Sequence, residues 1–205
     1  MNKIYFLDTN IVIALAKFHK EKTIEGLMQA DGLDYYKAKA IAKIYDLIKT
    51  GKIKALISPT VYDEINMGVK KFGKETKNYL YQSNIMILTD IPKQKLDIIN
   101  RLAEHYFTFT SKSGEHPFDT HPEKPNGKND AYIMATASVI GIDVITLDKH
   151  FTTKNFSIRE ANKDFIKSLS EEEKKLVSWH SPMILAQKPT YILNHAHELN
   201  DTLER

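Results

Sequence analysis

Short apolar runs alternate along the chain with longer stretches of helical periodicity. Four apolar runs predict strands, at residues 3–7, 53–57, 85–88 and 142–147. Helices are predicted between and after them, at residues 9–16, 34–49, 58–71, 93–107 and 130–140. Because strands separated by helices build parallel sheets, the pattern predicts an α/β fold with helices on both faces of the sheet.

Capping residues mark several of these helix ends. Ser58 is the expected N-cap of the helix that begins at Pro59, and Asn129 the expected N-cap of the helix at 130–140. Residues 108–128 contain three prolines and two glycines and show no periodicity, which predicts a long loop.

The C-terminal part of the chain predicts a helical extension. Ser170 and Glu173 have the spacing of a capping box. An amphipathic stripe follows, made of Ile192, His195, Ala196 and Leu199. We therefore divide the chain into a domain at residues 1–155 and a helical extension at 156–205 that packs on the same domain or contributes to a homodimer contact.

Composition narrows the chemistry. The 205 residues include no cysteine, which excludes disulfides, zinc-thiolate sites, iron–sulfur clusters and a thiol nucleophile. Hydrophobic residues make up 42% and charged residues 27%, as in a soluble globular protein, and the net charge of +3 is compatible with a polyanionic partner. The apolar runs are too short to span a membrane and no secretory signal is visible, so the expected location is the cytoplasm.

Acidic residues follow the predicted strands or lie on inward faces of the predicted helices. Asp8 follows the first strand and Asp148 the fourth. Because parallel strands point the same way, both carboxylates should emerge at the edge of the sheet where open α/β sheets bind ligands. Asp130 lies in the first turn of its predicted helix and shares the apolar stripe that contains Ile133 and Met134.

A fourth acid comes from the helix after the second strand, where Asp63 and Glu64 are adjacent. Val61 and Ile65 define the buried face of that helix at 100° per residue. Glu64 falls on the edge of this face and Asp63 points roughly the opposite way, so Glu64 is the better candidate.

A cluster of these carboxylates would require protonation or a cation, since like charges repel and resist burial. An all-oxygen site suits Mg²⁺ or Mn²⁺. Taken singly, each acid is more often a solvated helix cap favoured by the helix dipole, so only their joint placement supports a metal site.

These residues resemble the PIN-domain nucleases. The match lies in four segments within residues 1–155: FLDTNIVIAL (6–15), SPTVYDEI (58–65), NDAYIMATASVIGIDVITLD (129–148) and the KHF that follows. The resemblance implies a three-layer α/β/α sandwich with a parallel sheet of four or five strands. It assigns catalysis and metal binding to Asp8, Glu64, Asp130 and Asp148, and it matches Thr9, Asn10 and Thr146 to small polar positions that help to place substrate phosphate or metal-bound water. Lys149 and His150, which follow Asp148, are further candidates for binding substrate phosphates.

The resemblance also implies an activity. PIN nucleases of this kind are Mg²⁺- or Mn²⁺-dependent endoribonucleases, in which water activated by one or two ions cuts an RNA phosphodiester. Many small members are VapC-type toxins, which are homodimeric and silenced by an antitoxin protein. This chain is longer than those toxins, with extra material around residues 17–35, at 108–128 and after 155.

Two other functions remain open from the sequence. A PIN-like module could hold RNA or a protein without cutting it. A haloacid-dehalogenase-like phosphatase also begins with an Asp after its first strand, but that family requires a second Asp two residues later, where this chain has Asn10.

Overall fold

The computed structural model describes residues 3–118, 126–148, 151 and 154–177. Within them the strands are β1 (Lys3–Leu7), β2 (Ile53–Ile57), β3 (Ile85–Ile87) and β4 (Asp143–Ile145). The helices are α1 (Thr9–Glu21), α2 (Ile24–Asp31), α3 (Tyr35–Lys49), α4 (Pro59–Met67), α5 (Val69–Gln82), α6 (Lys93–Thr108), α7 (Asn126–Ile140), α8 (Asn155–Ser168) and α9 (Glu171–Leu176).

The strands form a parallel sheet with the order β3-β2-β1-β4, flanked by helices. Lys3 of β1 lies opposite Ile53 of β2, and Ala55 of β2 lies opposite Ile85 of β3. The predicted α/β/α fold is therefore confirmed, with four strands in the described part of the chain.

The described residues fall into two compact units. The first contains residues 3–87 and 145–148, and the second contains 88–118, 126–144, 151 and 154–177. In the first unit, apolar side chains of β1, β2, α1 and α3 form the core, including Phe6, Leu7, Ile11, Leu15 and Ile57. In the second unit, α6 packs against α7, and α8 and α9 pack on α6.

Capping explains where several helices begin. Ser58 Oγ accepts a hydrogen bond from Val61 N at 3.2 Å, and Pro59 occupies the first helical position, as the sequence predicts. The capping box of Ser170 and Glu173 is also formed, at the start of α9.

Several predicted boundaries were wrong. Helix α7 begins at Asn126, so Asn129 is not its N-cap and Asp130 lies in the second turn. Residues 126–128 were predicted as the end of the loop at 108–128, which shows no periodicity. In the structure they form the first turn of α7, whose buried stretch at 131–139 supplies the packing that stabilises a helix. The predicted helix at 58–71 is two helices, since α4 ends at Met67 and α5 follows from Val69.

Other differences are extensions, additions or shortened strands. Helix α1 continues past residue 16 to Glu21, and Lys22 is its C-cap, with a φ of 60°. Helix α2 was not predicted, and β4 covers only three of the six residues predicted for it. The predicted stripe from Ile192 to Leu199 lies outside the described residues. No helix in the described ranges is long and apolar enough to cross a membrane.

Candidate active site

Asp8 occupies the junction between β1 and α1, where the chain passes from strand to helix without a loop. Its backbone N–H donates to Ile145 O at 3.0 Å, at the end of β4. Its backbone carbonyl accepts from Ile11 N at 3.0 Å and Val12 N at 3.2 Å, in the first turn of α1. Hydrogen bonds of its backbone N–H and C=O therefore fix the position of Asp8 independently of its side chain.

The Asp8 carboxylate accepts hydrogen bonds at both oxygens. Thr9 N donates to Oδ1 at 2.6 Å. Asn10 Nδ2 and Thr146 Oγ1 both donate to Oδ2, each at 2.6 Å. A carboxylate offers about four acceptor positions, and these donors use three of them, which holds the carboxylate in a single orientation.

Asn10 and Thr146 also bind the backbone that follows β4. Asn10 Oδ1 accepts from Leu147 N at 3.0 Å, and Thr146 Oγ1 accepts from Asp148 N at 3.0 Å. The two side chains thus fasten the start of α1 to residues 146–148 and orient Asp8. Both residues are predicted from the sequence to contact substrate. In the structure their side chains bind the Asp8 carboxylate and the backbone N–H groups of residues 147 and 148.

Helix α4 brings Glu64 to the same unit. Glu64 is half-buried and accepts a hydrogen bond from Thr9 Oγ1, whereas the neighbouring Asp63 is exposed. This difference follows the helical periodicity, which puts Glu64 on the edge of the buried face. Thr9 therefore contacts two acids, Asp8 through its backbone N–H and Glu64 through its hydroxyl.

The electrostatics at Asp8 are unfavourable for its charged form. The side chain is only 5% exposed. Burial raises the pKa of Asp8 to about 6, the hydrogen bonds from Thr146 and Thr9 oppose this shift, and the charges of Glu64 and Asp148 add to it. Three carboxylates, Asp8, Glu64 and Asp148, therefore interact in the first unit.

A family model for the PIN domain matches residues 5–156. The chain belongs to the PIN-domain family. Neither a curated protein nor a solved structure matches the sequence. PIN domains are generally nucleases and typically use divalent metal ions, which assigns a nuclease-type function to this chain at the level of the family.

The carboxylates of Asp8, Glu64 and Asp148 in the first unit supply oxygen atoms, the donor type that hard cations prefer. Within the described ranges no three His, Asp or Glu side chains form a ready-made metal-binding group. Mg²⁺ does not require one, because it usually keeps several waters and is held by one or two carboxylates together with substrate phosphates. The negative charge of Asp8 is disfavoured by burial and by the charges of Glu64 and Asp148. A divalent cation bound by these oxygens would stabilise that charge.

The remaining predicted site residues are Asp130, Lys149 and His150. Asp130 is half-buried on α7, in the second unit. Lys149 and His150 lie outside the described residues.

Asn10 distinguishes this site from a haloacid-dehalogenase-like one. Its amide nitrogen donates to Asp8 Oδ2 while its amide oxygen accepts from Leu147 N. An Asp at this position would lose the donor and set a further carboxylate against Asp8. The positioning role of Asn10 is visible in the sequence only as an Asn two residues after the acid, a spacing typical of local side-chain bonds.

Proposed function

We propose that this protein is a metal-dependent endoribonuclease that acts in the cytoplasm and hydrolyses RNA phosphodiester bonds with the help of Mg²⁺ or Mn²⁺. The observation that carries the proposal is the buried Asp8 carboxylate, oriented by Thr9, Asn10 and Thr146 although burial and neighbouring charges disfavour its ionised form. The ionised form of such a buried carboxylate does not stabilise the fold, so its presence at the junction of β1 and α1 supports a role in binding a cation.

The residues divide into ligands and supports. Asp8, Glu64 and Asp148 would hold one or two ions, with Asn10 and Thr146 keeping Asp8 in place and Thr9 joining Asp8 to Glu64. When bound, such an ion activates a water and offsets charge on the phosphate in the transition state. Asp8 has to be ionised to act as a ligand, so cation binding releases a proton from it near pH 6.

Three further assignments come from the sequence, that of Asp130 through its match to the family and those of Lys149 and His150 through their position after Asp148. Asp130 is proposed as the fourth acidic ligand. Lys149 and His150 are proposed to contact the RNA phosphates that flank the scissile bond, where positive charge attracts the backbone without reading its sequence.

The test compares two adjacent acids on α4. Glu64→Gln should lower Mn²⁺-dependent cleavage of structured RNA by more than about 100-fold, since even residues that only orient a metal ligand cost 10–100-fold. Asp63→Asn is the matched control, because Asp63 is exposed and should leave cleavage unchanged. Cleavage of total and structured RNA is followed with Mg²⁺, Mn²⁺ or EDTA, and circular dichroism verifies that both variants fold.

Each result bears on the proposal. Cleavage that EDTA abolishes and Glu64→Gln removes supports it, and loss of cleavage in folded Asp130→Asn extends it to the fourth acid. Equal cleavage by Glu64→Gln and the unchanged protein would overturn it. Mn²⁺ and RNA binding without any cleavage would instead support a non-catalytic module, and activity only on a small phosphomonoester would support a phosphatase.

The resemblance to VapC-type toxins adds two proposed partners, an antitoxin protein and a second copy of this chain. A toxin should arrest growth when expressed alone, and a small neighbouring gene for a DNA-binding antitoxin should relieve the arrest. Light scattering of the purified protein tests the homodimer. Normal growth during expression of the active protein would contradict the toxin assignment while leaving the nuclease proposal intact.

A further inference from the structure

A pocket of about 160 Å³ lies in the first unit, between α1, α3 and the end of α5. Aromatic, amide and lysine side chains line it, including His19, Tyr45, Lys49, Tyr79, Gln82 and Asn84. Pockets for drug-sized ligands are larger, about 300–1,000 Å³, so this one has room for a single ring system.

The pocket is remote from the acids. His19 follows Asp8 by eleven positions, which separates them by about 16 Å along α1 at about 1.5 Å per residue. Lys49 and Asn84 shortly precede β2 and β3, whereas the acids follow the carboxyl ends of their strands. The pocket therefore lies at the opposite edge of the sheet and forms a separate site.

One wall of the pocket is a stack of aromatic rings. Tyr45 and Tyr79 are stacked, with centroids 6.2 Å apart and an interplanar angle of 24°. The His19 ring packs on both, at 5.9 Å from Tyr45 and 5.3 Å from Tyr79. Tyr45 is 9% and Tyr79 6% exposed, so packing holds both rings in place and only a small part of each faces the pocket.

Positive charge borders this stack. Lys22 Nζ and Lys49 Nζ lie 5.8 and 6.0 Å from the centroid of the Tyr45 ring. Neither lysine takes part in an ion pair among the described residues. Both are exposed, and they leave a cationic rim beside rings that are themselves uncharged.

The histidine in the wall is neutral. Tyr45 Oη lies 2.7 Å and Lys22 Nζ 3.2 Å from His19 Nδ1, and because an ammonium group can only donate, Nδ1 is the acceptor in its contact with Lys22. Burial lowers the pKa of His19, and the charges of Lys22 and Lys49 lower it further. The stack thus offers a ring surface without charge, and only the rim attracts an anion.

We propose that this pocket binds a nucleotide, with its base stacked on the Tyr45–Tyr79 pair and its phosphate beside Lys22 and Lys49. Stacking on aromatic rings is a general, sequence-tolerant way to hold a base. The exposed amides of Gln82 and Asn84 offer donors and acceptors for the base edge. A free nucleoside monophosphate and a nucleotide of single-stranded RNA share this chemistry, and the site does not depend on cleavage by the acids.

The experiment is a calorimetric titration of the full chain in EDTA, where the acid site carries no metal. The probes are the four nucleoside monophosphates, the matching nucleosides, inorganic phosphate and a short single-stranded RNA. At least one monophosphate should bind with a Kd below about 1 mM, and about tenfold more tightly than its nucleoside or phosphate alone. NMR signals of the His19 and Tyr79 rings should shift with the same Kd.

Lysine variants test the location. The double variant Lys22→Gln/Lys49→Gln should weaken monophosphate binding about tenfold and leave nucleoside binding largely unchanged, since both side chains are exposed and the glutamines remove the charge that attracts the phosphate. Lys39→Gln is the matched control, because Lys39 also lies on α3 with its ammonium 5.8 Å from a tyrosine ring, that of Tyr35. It should bind as the unchanged protein does.

The outcomes are distinct. Tighter binding of the RNA than of any monophosphate supports the pocket as a contact for an RNA strand, and the reverse supports a site for free nucleotide. Binding no tighter than that of phosphate, equal loss in Lys39→Gln, or ring signals that do not move would overturn the proposal. Because every readout here is binding, measured in EDTA, none of these results depends on whether the acids cleave RNA.

Discussion

Each compact unit contains a buried polar cluster. The two clusters use similar hydrogen-bonding side chains, but one surrounds a carboxyl group and the other a neutral hydroxyl. In the first unit, Asp8 is surrounded by hydrogen-bond donors that include Asn10 and Thr146. In the second unit, Tyr106 donates to Asn162 Oδ1 at 2.7 Å and its hydroxyl lies 3.3 Å from Ser138 Oγ. Both clusters join residues that are more than 50 positions apart, and the side chains of Asp8, Thr146, Tyr106, Ser138 and Asn162 are all buried.

The clusters differ in charge. Burial raises the pKa of Tyr106, so its hydroxyl stays neutral, and Asn162 Nδ2 completes the cluster by donating to Ser138 Oγ at 3.1 Å. Satisfied neutral groups of this type rigidify a core. At Asp8 burial also favours the neutral form, but there the neutral form would be useless as a metal ligand. A buried group that must be charged to act, in surroundings that disfavour the charge, indicates a functional role. A buried neutral group with all its hydrogen bonds made indicates a structural role.

The largest expected effect comes from Asp8→Asn. RNA cleavage should fall by more than about 100-fold, since the variant removes a proposed ligand charge. In EDTA, however, the variant should gain stability relative to the unchanged protein as the pH rises. An acid with a folded pKa of about 6 contributes stability that is complete below about pH 4 and lost as the pH rises through 6.

The size of this change follows from the pKa shift. About two pKa units correspond to about 3 kcal/mol, by which the gap in unfolding free energy should move in favour of the variant between pH 4 and pH 7. Urea unfolding of both proteins in EDTA at several pH values measures it. Asp63→Asn controls for loss of a carboxylate, because Asp63 is exposed. A gap that stays constant across this range would contradict the account of Asp8 as a disfavoured charge.

Topology made the acid cluster predictable from the sequence. Asp8 and Asp148 lie far apart in the sequence, yet each follows a predicted parallel strand, so their placement at one edge of the sheet required only the strand pattern. The choice of Glu64 over Asp63 required only helical periodicity. These inferences succeed because they depend on direction along an element, which short-range patterns specify well.

Side-chain partners inside the units were not predictable in the same way. Tyr106 falls within a predicted helix, but nothing local indicates that its hydroxyl meets Asn162, since that depends on how α6 and α8 pack. The start of α7 was wrong for a related reason, because packing of residues 131–139 outweighs the low helix propensity of Asn126 and Gly127. The pocket at His19 likewise depends on α5, which the sequence did not separate from α4.

A second, smaller effect is expected from Thr146→Val, which removes a donor but no charge. The hydroxyl bond to Asp8 Oδ2 opposes the rise in its pKa, so its loss should raise that pKa further. Cleavage at pH 7 should fall about 10–100-fold, as is typical for residues that orient a metal ligand. The acidic limb of the pH–rate profile should move to higher pH, which simple loss of packing would not cause.

Thr146→Ser separates the hydroxyl from the methyl group. It keeps the donor to Asp8 and the acceptor for Asp148 N, so both the rate and the pH profile should return toward those of the unchanged protein. If Thr146→Ser and Thr146→Val were equally impaired with unshifted profiles, Thr146 would act through packing and the positioning role would fail.

The smallest effect is expected from Tyr106→Phe, which tests the neutral cluster. The variant keeps the ring packed on Phe118, 5.5 Å between centroids, but leaves Asn162 Oδ1 without the hydroxyl donor. A buried acceptor that loses its partner costs about 1–2 kcal/mol, so the unfolding free energy should fall by this amount. Cleavage per folded molecule and Mn²⁺ affinity should stay unchanged.

Tyr36→Phe, at an exposed ring, is the control and should alter neither stability nor cleavage. A more than about tenfold loss of cleavage in folded Tyr106→Phe would show that the two clusters are coupled, and charge would then no longer separate the functional cluster from the architectural one.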